Sequence, residues 1–253
     1  MKRTAQLSIT LLALIAIVGC TSQQTAEKIE KTPYQQLFNG KDLTGWVQKG
    51  GKARYFVENG CIVGETVNEA KRNSFLCTKK TFCDFVLELD FKVDAELNSG
   101  VQIRSETRPG RSGGEAVFGY QVEIDASEKP FEPAPDKGRP ANLDENGSPV
   151  PPGRPRLWTG GIYDEGRRGW LYSLHKDPKA RVALKQRQWN HLRVEAIGDS
   201  IKTWVNGVAA AKLKDSETSC GLIGLQVHRL KEPLPKPLQV RFRNIRIKDL
   251  SAD

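Results

Sequence analysis

The sequence predicts an all-β protein, a two-sheet antiparallel β-sandwich, on three observations. Residues 85–94, "FVLELDFKVD", alternate Phe85, Leu87, Leu89, Phe91 and Val93 with Glu88, Asp90, Lys92 and Asp94, a strict period of two. The same period returns in "SGVQIRSE", "FGYQVEID", "WNHLRVEAIGDSIKTWVNGV", "GLIGLQVH" and "LQVRFRNIRI", each bounded by turn residues. No long amphipathic helix and no internal repeat interrupts them. Short alternating strands at this density suit a single sandwich domain.

The chain opens with "MKRTAQLSITLLALIAIVGC". Lys2 and Arg3, an apolar run from Leu7 to Val18 and small residues before Cys20 are the parts of a secretory signal, here 1–19. That run is short for a membrane span. Val18-Gly19-Cys20 resembles a bacterial lipobox, which implies lipidation of Cys20 and attachment to the membrane through that anchor. Thr21 rather than Asp after the cysteine implies an outer-membrane lipoprotein facing the periplasm or the surface. Residues 20–33, polar and unpatterned, read as a flexible tether. The domain then occupies 34–253.

The 253 residues carry a net charge of +9, which falls to +7 without Lys2 and Arg3. The basic residues are dispersed and stack on no helix face, so the charge reads as a solvated surface and not as a nucleic-acid site. Apart from Cys20, the cysteines are Cys61, Cys77, Cys83 and Cys220. None is paired as CxxC or stands beside a histidine, so the spacing is not metal-like. Two disulfides, one, or buried free thiols all remain open, and so does the pairing.

Between "FVLELDFKVD" and the C-terminus lie the remaining strands. "HLRVEAI" and "IKTWVNG" flank Gly198-Asp199-Ser200, a hairpin signal. Residues 130–155 hold eight of the 14 prolines and cannot supply ladder hydrogen bonds, so they form an inserted loop. "DENGS" within it lacks the glycine and terminal glutamate of a calcium loop.

The strand parities place polar groups together. Gln102, Arg104 and Glu106 oppose Val101 and Ile103; Gln121, Glu123 and Asp125 oppose Tyr120, Val122 and Ile124; Gln226 and His228 oppose Leu225 and Val227. Amides, a guanidinium, carboxylates and an imidazole on three outward faces suit sugar hydroxyls and developing charge. A plainly solvated face is the competing expectation, with Arg104 paired to Glu123 across neighbouring strands. Trp158, Tyr163 and Trp170 flank glycine-rich turns beside the insertion and are candidate sugar platforms, whereas Trp46, Trp189 and Trp204 read as packing. His191 reads as structural and His175 as solvated. Asp164, Glu165, Arg167 and Arg168 in "GGIYDEGRRG" read as a local salt-bridge cluster. No GxSxG elbow, no GK[ST] phosphate loop and no nicotinamide motif is present.

"LFNGKDLTGW" (37–46), "NSGVQIRSE", "GYQVEID", "TGGIYDEGRRGWL" (159–171), "WNHLRVEAIGDSIKTWVNG" and "GLIGLQVH" resemble the bacterial 3-keto-disaccharide hydrolase domain family, from about Leu37 to Leu250. The resemblance implies a concanavalin A-like jelly roll and cleavage of glycosides already oxidised at C3 of the sugar. Arg229-Leu230 after His228 and the proline-rich insertion depart from the pattern and bear on substrate identity. A C3 ketone acidifies the C2 hydrogen, so the aglycone on C1 leaves by elimination and water adds to the enone, a net hydrolysis. Such a route needs a base, an oxyanion stabiliser and an acid. Glu123 or His228 is the expected base, the other being proton donor or metal ligand. Arg104 is expected on the oxyanion or sugar hydroxyls, and Gln102, Gln121 and Gln226 with Tyr163, Trp158 and Trp170 on the substrate. A divalent metal cation on Asp125, Glu123 or His228 would polarise the ketone. A separate oxidoreductase must make the ketone. The alternative is a non-catalytic, lectin-like carbohydrate-binding module, with a structural envelope lipoprotein as a third possibility.

Overall fold

The period of two in 85–94 becomes a strand with Phe85, Leu87, Leu89 and Phe91 fully buried on one side. It belongs to a computed structural model that describes residues 23–110, 113–127 and 157–251. The signal 1–19, Cys20 and the insertion 130–155 lie outside the described residues.

In chain order the elements are α1 (23–31), β1 (Gln35–Gln36), β2 (Trp46–Gly50), β3 (Arg54–Glu58), β4 (Cys61–Glu65) and β5 (Ser74–Thr78). There follow β6 (Phe85–Val93), β7 (Asn98–Pro109), β8 (Glu115–Asp125), β9 (Ile162–Glu165), β10 (Gly169–Tyr172) and the short α2 (Pro178–Arg181). The chain ends with β11 (Asn190–Ile197), β12 (Ser200–Val205), β13 (Val208–Lys214), β14 (Leu222–Val227) and β15 (Gln239–Asp249). One sheet runs β13-β12-β11-β6-β15-β4-β3, with β1 added on β15; the other runs β10-β9-β8-β7-β14-β5-β2. Every strand pairing is antiparallel. The expected two-sheet sandwich is the fold.

Between the sheets, Leu192, Val194 and Ala196 join the β6 side chains, and Val101, Ile103, Tyr120, Val122, Ile124 and Leu225 meet them from the second sheet. All are fully buried. Truncating one of the leucines to alanine costs about 2–5 kcal/mol. The Gly198-Asp199 turn joins β11 to β12 as expected. The stretch expected as a tether is helical over 23–31, with Lys31 paired to Glu27 at 2.6 Å. Lys248 Nζ caps it by donating to the Ile29 carbonyl.

Cys83 and Cys220 form a disulfide, and Cys61 and Cys77 are free and buried. The bridge ties the start of β6 to the approach to β14. His191 Nδ1 meets Asp90 at 3.0 Å, and Arg243 stacks on Trp189 and Arg193 on Trp204, so these three aromatic residues are structural as expected.

The second sheet is strongly curled. β8 and β2 are separated by three strands, yet Lys49 on β2 reaches Glu115 on β8 at 2.6 Å. Arg72 Nη1 also donates to the Gly113 carbonyl at 2.8 Å. The outer end of the β7–β8 hairpin therefore bends across the sheet's outer face, burying Phe75, Cys77 and Val117 beneath it.

Candidate functional site on the concave sheet

On β8 the inward residues Tyr120, Val122 and Ile124 fill the core, and Gln121, Glu123 and Asp125 face the concave side. That side is not wet. Gln121 is 2% exposed, Glu123 4% and Asp125 1%. Buried polar groups must find partners, and the register supplies them.

One row across the sheet is Trp170, Tyr163, Gln121, Gln102, Gly224 and Cys77; the next is Glu123, Gly100, Gln226 and Phe75. Gly100, having no side chain, leaves space that Gln121 fills: a Cβ there would lie 2.6 Å from Gln121 Cγ and Cδ. Ser105 Oγ donates to Gln102 Oε1 at 2.7 Å, and Gln102 Nε2 donates to Gln121 Oε1 at 2.8 Å. Gln226 Nε2 donates to the same oxygen at 2.8 Å, and Gln121 Nε2 donates to Glu123 Oε2 at 2.8 Å. Asn98 Nδ2 donates to Glu123 Oε1. The amides thus point their N–H groups in sequence toward one carboxylate. Gln226 Oε1, across Gly100 from Glu123, is buried with no hydrogen-bond partner.

Glu165 enters the same face from β9. It pairs with Gly119, and Tyr163 two residues earlier pairs with Gln121, so Tyr163, Glu165, Gln121 and Glu123 share one side. Burial pushes the Glu165 carboxyl up, and the negative charge of Glu123 adds to the effect; a hydrogen bond from Asn73 opposes them, leaving it at about 7. Asp164, on the opposite side of β9, binds Arg167 at 2.7 Å and Arg168 at 2.6 Å. The expected local salt-bridge cluster is therefore real for three of its members and excludes Glu165.

His228 follows Val227, which pairs with Ser99, and so lies level with Asn98 and Asp125 on the concave side. Its Nδ1–H donates to the Arg229 carbonyl at 2.8 Å. Glu123 and His228 are brought to neighbouring rows of one face, as the parity predicts. Asp125 Oδ1 accepts from the Ser127 amide at 3.3 Å. The expected metal set of Asp125, Glu123 and His228 is not assembled: among the described residues no three His, Cys, Asp or Glu side chains converge as metal ligands. Glu123 instead spends one oxygen on Asn98 and the other on Gln121.

Arg104 is the main correction. A register shift between Ile103 and Glu106 breaks the alternation, and Arg104 has a φ of 45°, in the left-handed region. Its side chain is fully buried and leaves the concave face. Nε donates to Cys83 O at 2.7 Å, Nη1 to Gly198 O at 2.7 Å, and Nη2 to Asp84 Oδ1 at 2.9 Å. It pairs with Asp84, not with Glu123, and clamps β7 to the first sheet. Burial lowers its pKa, Asp84 countering.

The aromatic candidates divide. Trp158 is 1% exposed and packs with Leu174, Ala180 and Ala210, its ring 4.6 Å from Trp170 in edge contact, so it offers no open platform. Tyr163 and Trp170 are half-buried neighbours, their rings 5.2 Å apart, in the row of Gln121. Gln102 and Gln226, both fully buried, act beneath the surface by fixing Gln121.

A family model described as a 3-keto-alpha-glucoside-1,2-lyase-like domain matches residues 33–248. Among solved structures, two of a putative glycosyl hydrolase from Parabacteroides distasonis superpose with a TM-score of 0.52 at 20% identity. The first covers 88% of this chain and 96% of its own, the second 86% and 99%. A β-glucanase from Bacillus licheniformis aligns at 12% identity with a TM-score of 0.46, over 86% of this chain and 97% of its own. No curated protein matches the chain. At 20% identity the likeness to the two Parabacteroides structures speaks to the fold alone.

Proposed function

The chain belongs to the 3-keto-alpha-glucoside-1,2-lyase-like domain family, and from that membership we propose that it cleaves 3-keto-glycosides by elimination across C1–C2 followed by hydration. The observation that carries the proposal is the Glu123 carboxylate, buried on the concave face and held by Asn98 and Gln121. A desolvated carboxylate with fixed orientation suits removal of the proton that a C3 ketone acidifies. Tyr163 and Gln121, side by side in one row, suit the apolar face and the hydroxyls of one sugar ring. His228, level with Asn98, flanks that position and carries the alternative base role.

A lectin-like module is the second reading, favoured by the Tyr163–Trp170 pair. Binding alone does not require a buried carboxylate held by a one-way chain of amides, so catalysis is preferred. Oxidation at C3 is assigned to a separate oxidoreductase. The Cys83–Cys220 bridge supports an oxidising compartment, in keeping with an outer-membrane lipoprotein anchored through Cys20.

The test is incubation of pure protein with a 3-keto-glucoside and its unoxidised parent. Release of aglycone from the ketone alone is expected. Saturable binding of both sugars without any product would leave the lectin reading instead.

A further inference from the structure

Two of the carboxyl groups on the concave face, Glu123 and Glu165, stand on neighbouring antiparallel strands, on either side of the Gln121–Tyr163 pair. Glu123 lies two residues beyond Gln121 on β8, while Glu165 lies two residues beyond Tyr163 on the antiparallel β9, level with Gly119. Four strand residues, about 13 Å along an extended backbone, separate the two positions, and Glu165 meets Asn73 and feels the charge of Glu123. Between those positions the register pairs Gln121 with Tyr163, an amide and a ring. We propose that Glu165 is the proton donor to the leaving oxygen while Glu123 takes the C2 proton, one sugar ring lying between them over Gln121 and Tyr163. The assignment rests on the 3-keto-glycoside reading above and adds the acid that it lacks.

The surroundings of the two groups differ in the sense this division needs. Glu123 accepts N–H groups on both oxygens, from Asn98 and Gln121. Glu165 faces burial and the charge of Glu123, with Asn73 as a neutral donor and Asp164 behind it. Among the described residues, Arg108 on β7, which donates to the Gly166 carbonyl at 2.7 Å, Arg167 and Arg168, which bind Asp164, and Arg72, which adjoins Asn73 and donates to the Gly113 carbonyl, are cations near this strand end. A carboxyl held at about 7 is protonated over half the neutral range and able to donate.

The steps balance. Glu123 removes the C2 hydrogen as a proton, the C2 electron pair forms the C1–C2 double bond, and the C1–O bond breaks. Glu165 protonates the departing oxygen and becomes a carboxylate. Water then attacks C1 of the enone, giving its proton to Glu165, while Glu123 returns its proton to C2. Both groups end as they began, and the sum is one 3-keto-glycoside plus water to a 3-keto-sugar plus an alcohol.

Leaving-group dependence tests the role. Glu165→Gln is expected to slow release of an alkyl alcohol or a sugar from a 3-keto-glucoside by about 10²–10⁴-fold, and to release p-nitrophenol, which needs little protonation, near the wild-type rate. Glu123→Gln should lose both. The wild-type fall in kcat/KM above about pH 7 for the alkyl substrate should vanish in Glu165→Gln. Thermal melting checks that the variants are folded. Equal slowing of both leaving groups, or no slowing of either, in a wild-type-active protein overturns the assignment alone. A wild-type protein inactive on every 3-keto-glycoside overturns the parent reading and this assignment with it.

Discussion

Gln121 gives its amide N–H to Glu123 Oε2 over 2.8 Å and receives Gln102 and Gln226 on its own oxygen, each at 2.8 Å. It is the joint through which Gln102, Gln226 and, behind Gln102, Ser105 orient one carboxylate. Its position depends on Gly100, where a Cβ would stand 2.6 Å from Gln121 Cγ and Cδ. Gly100→Ala should therefore push Gln121 off Glu123, at an overpacking cost of about 1–3 kcal/mol. Melting should fall modestly and turnover of a 3-keto-glucoside steeply. Full turnover in the variant would mean that Gln121 does not position Glu123.

Glu123→Gln keeps the shape and removes the base. Turnover should drop by about 10²–10⁴-fold. The variant amide also turns N–H groups toward the donors of Asn98 or Gln121, at about 1–3 kcal/mol for an unsatisfied buried group. A rate within tenfold of wild type would take Glu123 out of the chemistry.

Arg104 carries the opposite expectation. Arg104→Met removes the donors to the Cys83 and Gly198 carbonyls and to Asp84, which keeps the Gly198 amide. Asp84 is 40% exposed, so the loss is that of hydrogen bonds to a charged group, about 1–3 kcal/mol, or roughly 2–12 °C of melting temperature in a domain of this size. Activity per folded molecule should stay close to wild type. An unchanged melting temperature with lost turnover would return Arg104 to the active site.

The contrast between Gln121 and Arg104 marks how far alternation can be read. On β8 the period is unbroken, so Gln121, Glu123 and Asp125 face one way in the sequence and in the fold. On β7 the same counting places Arg104 beside Gln102. The bulge between Ile103 and Glu106 turns it to the other sheet, and nothing in "GVQIRSE" announces a bulge at an arginine. Glu165 failed for the reverse reason. "YDEGRR" invites pairing of all its charges, whereas a short strand there sends Asp164 and Glu165 to opposite sides. Treating "IYDE" as β9 would have found it. Burial of Trp158 depends on Leu174, Ala180 and Ala210, partners too distant in sequence for any local pattern to reveal.

The disulfide should be worth as much as the costliest single core residue. Cys83 and Cys220 are 137 residues apart, and a cross-link of that span stabilises by about 5 kcal/mol on the chain-entropy account. Cys83→Ala with Cys220→Ala should therefore melt about 10–20 °C lower. The other thiols should remain silent in the folded protein, because Cys61 and Cys77 are buried and burial pushes the Cys77 thiol up to about 12. Thiol titration checks both points. Rapid labelling of Cys77 at pH 8 in the native state would contradict its burial.

Acid stability should hinge on Glu88, far from the concave face. Burial acts to raise its carboxyl, but hydrogen bonds from Tyr34, Arg246 and Arg193 overcome it and leave it at about 2, against 4.5 for the free group. Arg193 stands at 2.6 Å and Arg246 at 2.7 Å. Between those pH values the unfolded chain binds a proton that the native chain does not, so falling pH drives unfolding. The stabilisation from Glu88 is thus present in full above about pH 4.5 and fades as pH falls through about 2. Urea midpoints of wild type and Glu88→Gln should differ most at pH 7 and converge toward pH 2. Arg193 keeps Glu195 at 2.6 Å in the variant, which should preserve the fold for the comparison. A gap that stays constant from pH 7 to pH 2 would mean that the contribution of Glu88 is packing, not charge.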